Sequence, residues 1–241
     1  MKKFLTLALA LVMVLSMAAC GEVAPTEEVA EVTEATETAE VAVMSYEEFA
    51  AAELDTEVTV ETYVQGKQSW WDNKGTFYTQ SEDGAYFLYE MPCTEEEYNL
   101  LTEGTKIRVK GFKAEWSGEV EIVDATYEIL EGNFVAEAFD ATELLGTEEL
   151  INYQNQKVAF KGLTVEKVEY KNEEPGDDIY VTLSNGEESY SFCVEVYLTG
   201  VDTEVYTTVG ELEAGDKVDV EAFLYWYNGA NPHITAITIV E

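Results

Sequence analysis

Apolar and polar positions alternate with a period of two along much of this chain. The runs VTVETYVQGK (58–67) and KVAFKGLTVEKV (157–168) are rich in β-branched residues and predict strands. GTFYTQS (75–81) and AYFLYEM (85–91) flank Glu82-Asp83-Gly84, where Asp-Gly supplies the positive φ of a hairpin turn. IYVTLS (179–184) and ESYSFCVEVYL (188–198) flank Asn185-Gly186 in the same way. The period then changes. In TEEEYNLLTEG (94–104), Thr94 and Glu97 form a capping box and Gly104 supplies a C-terminal stop, which predicts a short helix. DTEVYTTVGELEAG (202–215) is its longer counterpart. Long strands are expected over KIRVKGFKAEW (106–116) and KVDVEAFLYWY (217–227), with turns at Ser117-Gly118 and Asn228-Gly229. EVEIVDATYEIL (119–130) and PHITAITIVE (232–241) predict closing strands.

The pattern occurs twice, in the same order. Glu57–Val60 matches Lys157–Phe160 at an offset of 100, and Ser81–Gly84 matches Leu183–Gly186 at 102. Gly104–Val109 matches Gly215–Val220, and Phe112–Gly118 matches Phe223–Gly229, both at 111. An offset that only grows is what a duplicated module with insertions in its second copy produces. Each copy opens on capping-box spacing, Ser45 with Glu48 and Asp140 with Glu143, so a helical lead-in is expected before each. Gly66, Gly111 and Gly162 interrupt strand patterns at points where barrels bend.

Strand, strand, strand, helix, strand, strand resembles the OB-fold, a five-stranded barrel with its helix between the third and fourth strands. The expected architecture is mainly β. Two tandem five-stranded OB-fold-like barrels, each with that short helix, cover residues 44–132 and 133–241. A single β-sandwich of about ten strands is the competing architecture, and the internal repeat argues against it.

The N-terminus changes the picture of where such a protein acts. Lys2 and Lys3 precede an apolar run, Phe4–Met17, that is short for a membrane span. Ala18-Ala19-Cys20 follows. Residues 1–19 read as a secretion signal, and the small-small-Cys ending resembles the lipobox of bacterial lipoproteins. That resemblance implies cleavage before Cys20, diacylation of Cys20 and an extracytoplasmic, membrane-attached mature chain. Residues 20–43 are dominated by Glu, Ala, Thr and Val with no aromatic residue, and predict a disordered acidic tether. Anchor, acidic tether and two modules together resemble OB-fold lipoproteins of anaerobic gut bacteria.

Charge narrows the partners. The chain has 13 Lys+Arg against 49 Asp+Glu, a formal net charge of −36. Lys106, Arg108, Lys110 and Lys113 gather in the first module without offsetting that balance. The expectation is cationic or neutral ligands and no nucleic acid, whose binding rests on neutralising phosphates. Cys93 and Cys193 lie one hundred residues apart, one in each module, and are expected to be separate thiols. His233 is the single histidine, so zinc sites and His-based triads lack material. No cofactor or metal site is read, and the acidic loop 172–178 lacks EF-hand spacing. No catalytic motif stands in a credible context, so no enzyme activity is expected.

OB-folds bind ligands on the face of strands two and three, between the first–second and fourth–fifth strand loops. By that resemblance the candidate binding residues of the first module are Trp70, Trp71, Asp72, Asn73, Tyr78, Tyr86, Tyr89 and Trp116. Those of the second are Tyr225, Trp226, Tyr227 and Asn228. Aromatic platforms beside Asp and Asn suit a glycan or another small neutral ligand, whose C–H faces stack while its hydroxyls hydrogen-bond. The alternative is a patch that docks an envelope protein, since such interfaces are also rich in Trp and Tyr.

Overall fold

Local chemistry sets the first half of the computed structural model, which describes residues 42–240. The signal, Cys20 and nearly all of the tether lie outside the described residues. Helix α1 (Tyr46–Ala51) is capped by Ser45, and both bonds of its capping box with Glu48 are present. Strands β1 (Glu57–Lys67), β2 (Lys74–Gln80) and β3 (Ala85–Pro92) follow, then α2 (Glu95–Leu100), β4 (Thr105–Trp116) and β5 (Glu119–Asn133). The strands close into a barrel in the order β1-β2-β3-β5-β4. Only β3 and β5 pair in parallel; the other neighbours are antiparallel. With α2 between the third and fourth strands, the arrangement is OB-fold-like. Alternation sends Val58, Val60, Phe77, Leu88, Ile107, Val109 and Ile122 into the barrel core.

The second half begins with β6 (Phe139–Asp140) and two 3₁₀ turns, Thr142–Leu144 and Glu148–Tyr153. Strands β7 (Lys157–Tyr170), β8 (Ile179–Ser184) and β9 (Ser189–Val194) lead to helices α3 (Val196–Thr199) and α4 (Glu204–Gly210). Strands β10 (Lys217–Phe223) and β11 (His233–Val240) finish the sheet. Its order is β10-β11-β9-β8-β7-β6, and β10 also pairs with β7. The β9–β11 pair is parallel, as β3–β5 is in the first barrel. Phe160, Leu163, Phe192 and Ile234 belong to its core.

Three of the glycines within strands coincide with breaks in register: Gly66 in β1, Gly111 in β4 and Gly162 in β7. Each is a bulge that bends its strand. Two expectations need correction. The lead-in to the second half is not a capped α-helix, because Asp140 Oδ1 accepts from the N–H and hydroxyl of Thr142 at 3.2 and 2.6 Å. That bond closes a tight turn two residues on and leaves no cap for a longer helix. Tyr225, Trp226 and Tyr227 are not in a strand either; β10 ends at Phe223, and they lie in the 224–232 loop.

The described residues form one compact unit. The outer face of β2 and β3 is covered by the second half of the chain. Tyr78 stacks on Phe223 with ring centroids 4.4 Å apart, and its hydroxyl meets His233 Nδ1 at 2.9 Å. Phe87 meets the edge of Tyr225. A side-chain Cβ at Gly66 would come within 2.6 Å of the Phe223 ring, so that backbone approach needs glycine. Along the seam, Gln154 donates to the Gly118 carbonyl, Asn155 to the Val120 carbonyl, and the Lys157 N–H to Gln80.

Candidate functional site

The loop after β1 begins at Gln68 and turns at Asp72-Asn73, both with positive φ (48° and 58°). Trp71 and Lys74 bond each other's backbone across this turn, which tightens the connection into β2. Trp70 points inward, packs on the barrel core and donates Nε1–H to the Cys93 carbonyl at 3.0 Å. Trp71 is left 78% exposed. Consecutive residues of this loop therefore separate one ring for structure and one for solvent.

Trp71 stands over a cavity of about 420 Å³, lined also by Gln68, Ser69, Trp70, Lys74, Thr76, Tyr89, Glu90 and Tyr197. Lys74 and Glu90 are paired at 2.6 Å on its wall. The Ser69 N–H donates to the Tyr197 carbonyl at 2.6 Å, so the second half of the chain helps to form the rim. A second cavity of about 320 Å³ adjoins it, with Gln68 and Tyr89 lining both. Its other walls are Phe87, Trp116, Glu121, Glu195, Tyr225 and His233. Trp116 and Tyr227 tilt together at 5.2 Å, bringing the β4–β5 loop against the β10–β11 loop.

Electrostatics differ between the cavities. In the smaller one, burial and the nearby Asp178 carboxylate push Glu195 up to about 7. Burial and Glu90 raise Glu121. Burial pushes His233 down to about 4, which leaves its ring neutral near pH 7. None of the residues lining this cavity is Lys or Arg.

No known protein family matches the chain, and no curated protein does. Solved structures similar to it include a murine DNA-binding protein bound with double-stranded DNA. That pair shares 12% identity over 76% of this chain and 95% of the other, with a TM-score of 0.37. The Ifi202 HINa domain in complex with 20-bp double-stranded DNA shares 16% identity over 78% of this chain and 96% of the other, at a TM-score of 0.33. Asparaginyl-tRNA synthetase from Pyrococcus horikoshii complexed with asparaginyl-adenylate matches at 17% identity over 36% of this chain and 19% of the other, at 0.28. Likeness at this level transfers none of those proteins' activities. The exclusion of nucleic acid drawn from composition is nevertheless corrected: chains that this one resembles are found on DNA. Net charge sums over the whole chain and does not by itself describe any one face, although Lys106, Arg108 and Lys110 on β4 are each paired with a carboxylate, Glu61, Glu128 or Glu57.

Of the sequence candidates, Trp70, Trp71 and Tyr89 line the larger cavity, and Tyr89, Trp116 and Tyr225 the smaller. Tyr78 and Tyr86 are corrected. Both are buried, Tyr78 in the seam and Tyr86 in the barrel core, so neither offers a ring to a ligand. Asp72 and Asn73 serve the turn rather than a cavity wall, and Asn228 likewise adopts positive φ and donates its N–H to the Ser117 carbonyl. Trp226 lies over Gly118 and gives its backbone N–H to Glu119 at 2.8 Å; neither cavity includes it. Tyr227 is half exposed beside Trp116. Among the carboxylates of loop 172–178, Asp177 and Asp178 both pair with Lys171. Cys93 and Cys193 are free and buried. Sequence reasoning missed Glu121, Glu195 and Tyr197. With 49 acidic residues, no local signal marks the two that line a cavity.

Proposed function

We propose that this chain is a lipid-anchored, extracytoplasmic binding protein of two OB-like barrels. It binds a small neutral, hydroxyl-rich ligand, a glycan, without transforming it. The closed first barrel and the matching strand neighbours of the second sheet support the tandem reading. The ligand reading rests on one observation: an open cavity of about 420 Å³ places Trp71 and Tyr89 beside the polar groups of Gln68, Ser69, Thr76, Lys74 and Glu90. Exposed rings stack on the C–H face of a sugar, and fixed donors and acceptors orient its hydroxyls. The outer face of β2 and β3 is covered, so the ligand enters at the edge of that face.

The test is a titration of tryptophan fluorescence with soluble oligosaccharides. A saturable shift that Trp71→Ala weakens by roughly tenfold or more is the expected result, the scale of losing one stacked ring. No saturable shift, or a shift unaltered in Trp71→Ala, overturns the site. Cleavage of the oligosaccharide during the titration overturns the non-catalytic part.

A further inference from the structure

The smaller cavity has a different chemistry from the groove beside it. Four aromatic residues, Phe87, Tyr89, Trp116 and Tyr225, contribute to its walls, together with Glu121 and Glu195. The Glu195 Oε1 atom accepts the Tyr197 N–H at 3.3 Å, while its Oε2 is buried with no donor. The charged group acting on Glu121 is Glu90, a like charge. His233, the one basic side chain on the wall, is neutral near pH 7. Two carboxyl groups thus share a space of about 320 Å³ with aromatic rings and no counter-charge on the wall.

We propose that this cavity binds a small organic cation bearing an alkylated ammonium group. Its apolar substituents lie against the four rings and its charge against Glu121 and Glu195. Ring faces attract a cation through their quadrupole, and most strongly where water is excluded. Carboxylates that lack a counter-charge are costly to bury, and a cation compensates them. An inorganic divalent ion fits poorly, because calcium takes six or more oxygen ligands and this wall is mostly carbon. Among the described residues, no group of three or more His, Cys, Asp or Glu side chains could hold a metal ion. A net charge of −36 raises the concentration of cations around the chain. The inference does not depend on the glycan groove, where Lys74 already answers Glu90.

The experiment is calorimetric titration of the full chain with choline, with the neutral carbon isostere of choline, and with sodium chloride at matched ionic strength. Choline is expected to saturate one site. The isostere, equal in shape but uncharged, is expected to bind at least roughly tenfold more weakly. Glu195→Gln and Glu121→Gln are each expected to lower choline affinity by about tenfold, and Trp71→Ala to leave it unchanged. Affinity is expected to rise from about pH 6 to about pH 8 as Glu195, pushed up to about 7, ionises. The charges that face them are Asp178 and Lys171 for Glu195, and Glu90 for Glu121. Equal binding of choline and its isostere overturns the proposal. So does choline affinity unaltered in both Gln variants, or no saturable binding to the unmodified chain. Because the two ligands are compared on the unmodified chain, a variant that fails to fold does not rescue the idea. Loss of glycan binding in Trp71→Ala with choline binding intact separates this site from the groove.

Discussion

Trp70 and Trp71 are adjacent in sequence and opposite in environment. Trp70 rests on the barrel core with its indole N–H on a backbone carbonyl, and Trp71 keeps most of its surface in water. Truncating a packed indole removes apolar contact and orphans its acceptor. Trp70→Ala is therefore expected to lower unfolding free energy by about 2–4 kcal/mol. Trp71→Ala touches no core and is expected to stay within about 0.5 kcal/mol. Urea denaturation of both variants measures the difference. Equal losses would mean that Trp71 is structural after all, and the groove would lose its stacking platform.

At the scale of elements, backbone chemistry governs the connection between β1 and β2. Asp72 and Asn73 both take φ near +50°, where β-branched residues are strongly disfavoured and Asn, Asp and Gly are tolerated. Asn73→Val is expected to destabilise the protein by at least about 1 kcal/mol. Replacing Asp72-Asn73 by Asn-Gly is expected to leave stability equal or higher by up to about 1 kcal/mol. Thermal melts of the two variants check this, and a neutral Asn73→Val would show that the turn is free to rearrange. The capping boxes at Ser45 and Thr94 were legible from spacing alone because their bonds span three residues of one segment. The same spacing at Asp140 misled, since Thr142 offered a nearer donor.

At the scale of the molecule, the seam encloses titratable groups. Glu119 is fully buried; its Oε2 accepts the Trp226 N–H, and its Oε1 has no donor. Burial pushes it up to about 8 from 4.5. A carboxyl raised in this way contributes stability that is complete below about 4.5 and is lost as pH rises through about 8. Glu195, raised to about 7, acts in the same sense. His233, pushed down from 6.5 to about 4, acts oppositely: its contribution is present above 6.5 and is lost as pH falls through 4. Between about pH 5 and 8 the two carboxyls outweigh the one imidazole, so the melting temperature is expected to fall across that window. Glu119→Gln keeps an acceptor for Trp226 without the ionisation and is expected to flatten the fall. An unchanged slope in that variant would show that Glu119 does not titrate there.

Strand order, hairpin turns, the helix between the third and fourth strands and the repeat were all determined locally. Alternation, Asp-Gly turns and capping residues act over a few positions, and the positions that bend strands carry glycine. The covered outer face of β2 and β3 was not visible in that pattern. Tyr78 and Phe87 alternate outward from the barrel as any exposed face would, and only packing against Phe223 and Tyr225 buries them. Glu121 and Glu195 are 74 residues apart in sequence and line one cavity because the seam brings β5 and the start of α3 together. Local pattern decides which way a side chain points from its own strand. What it then meets depends on segments far away in the chain, and that is settled only when the two halves pack.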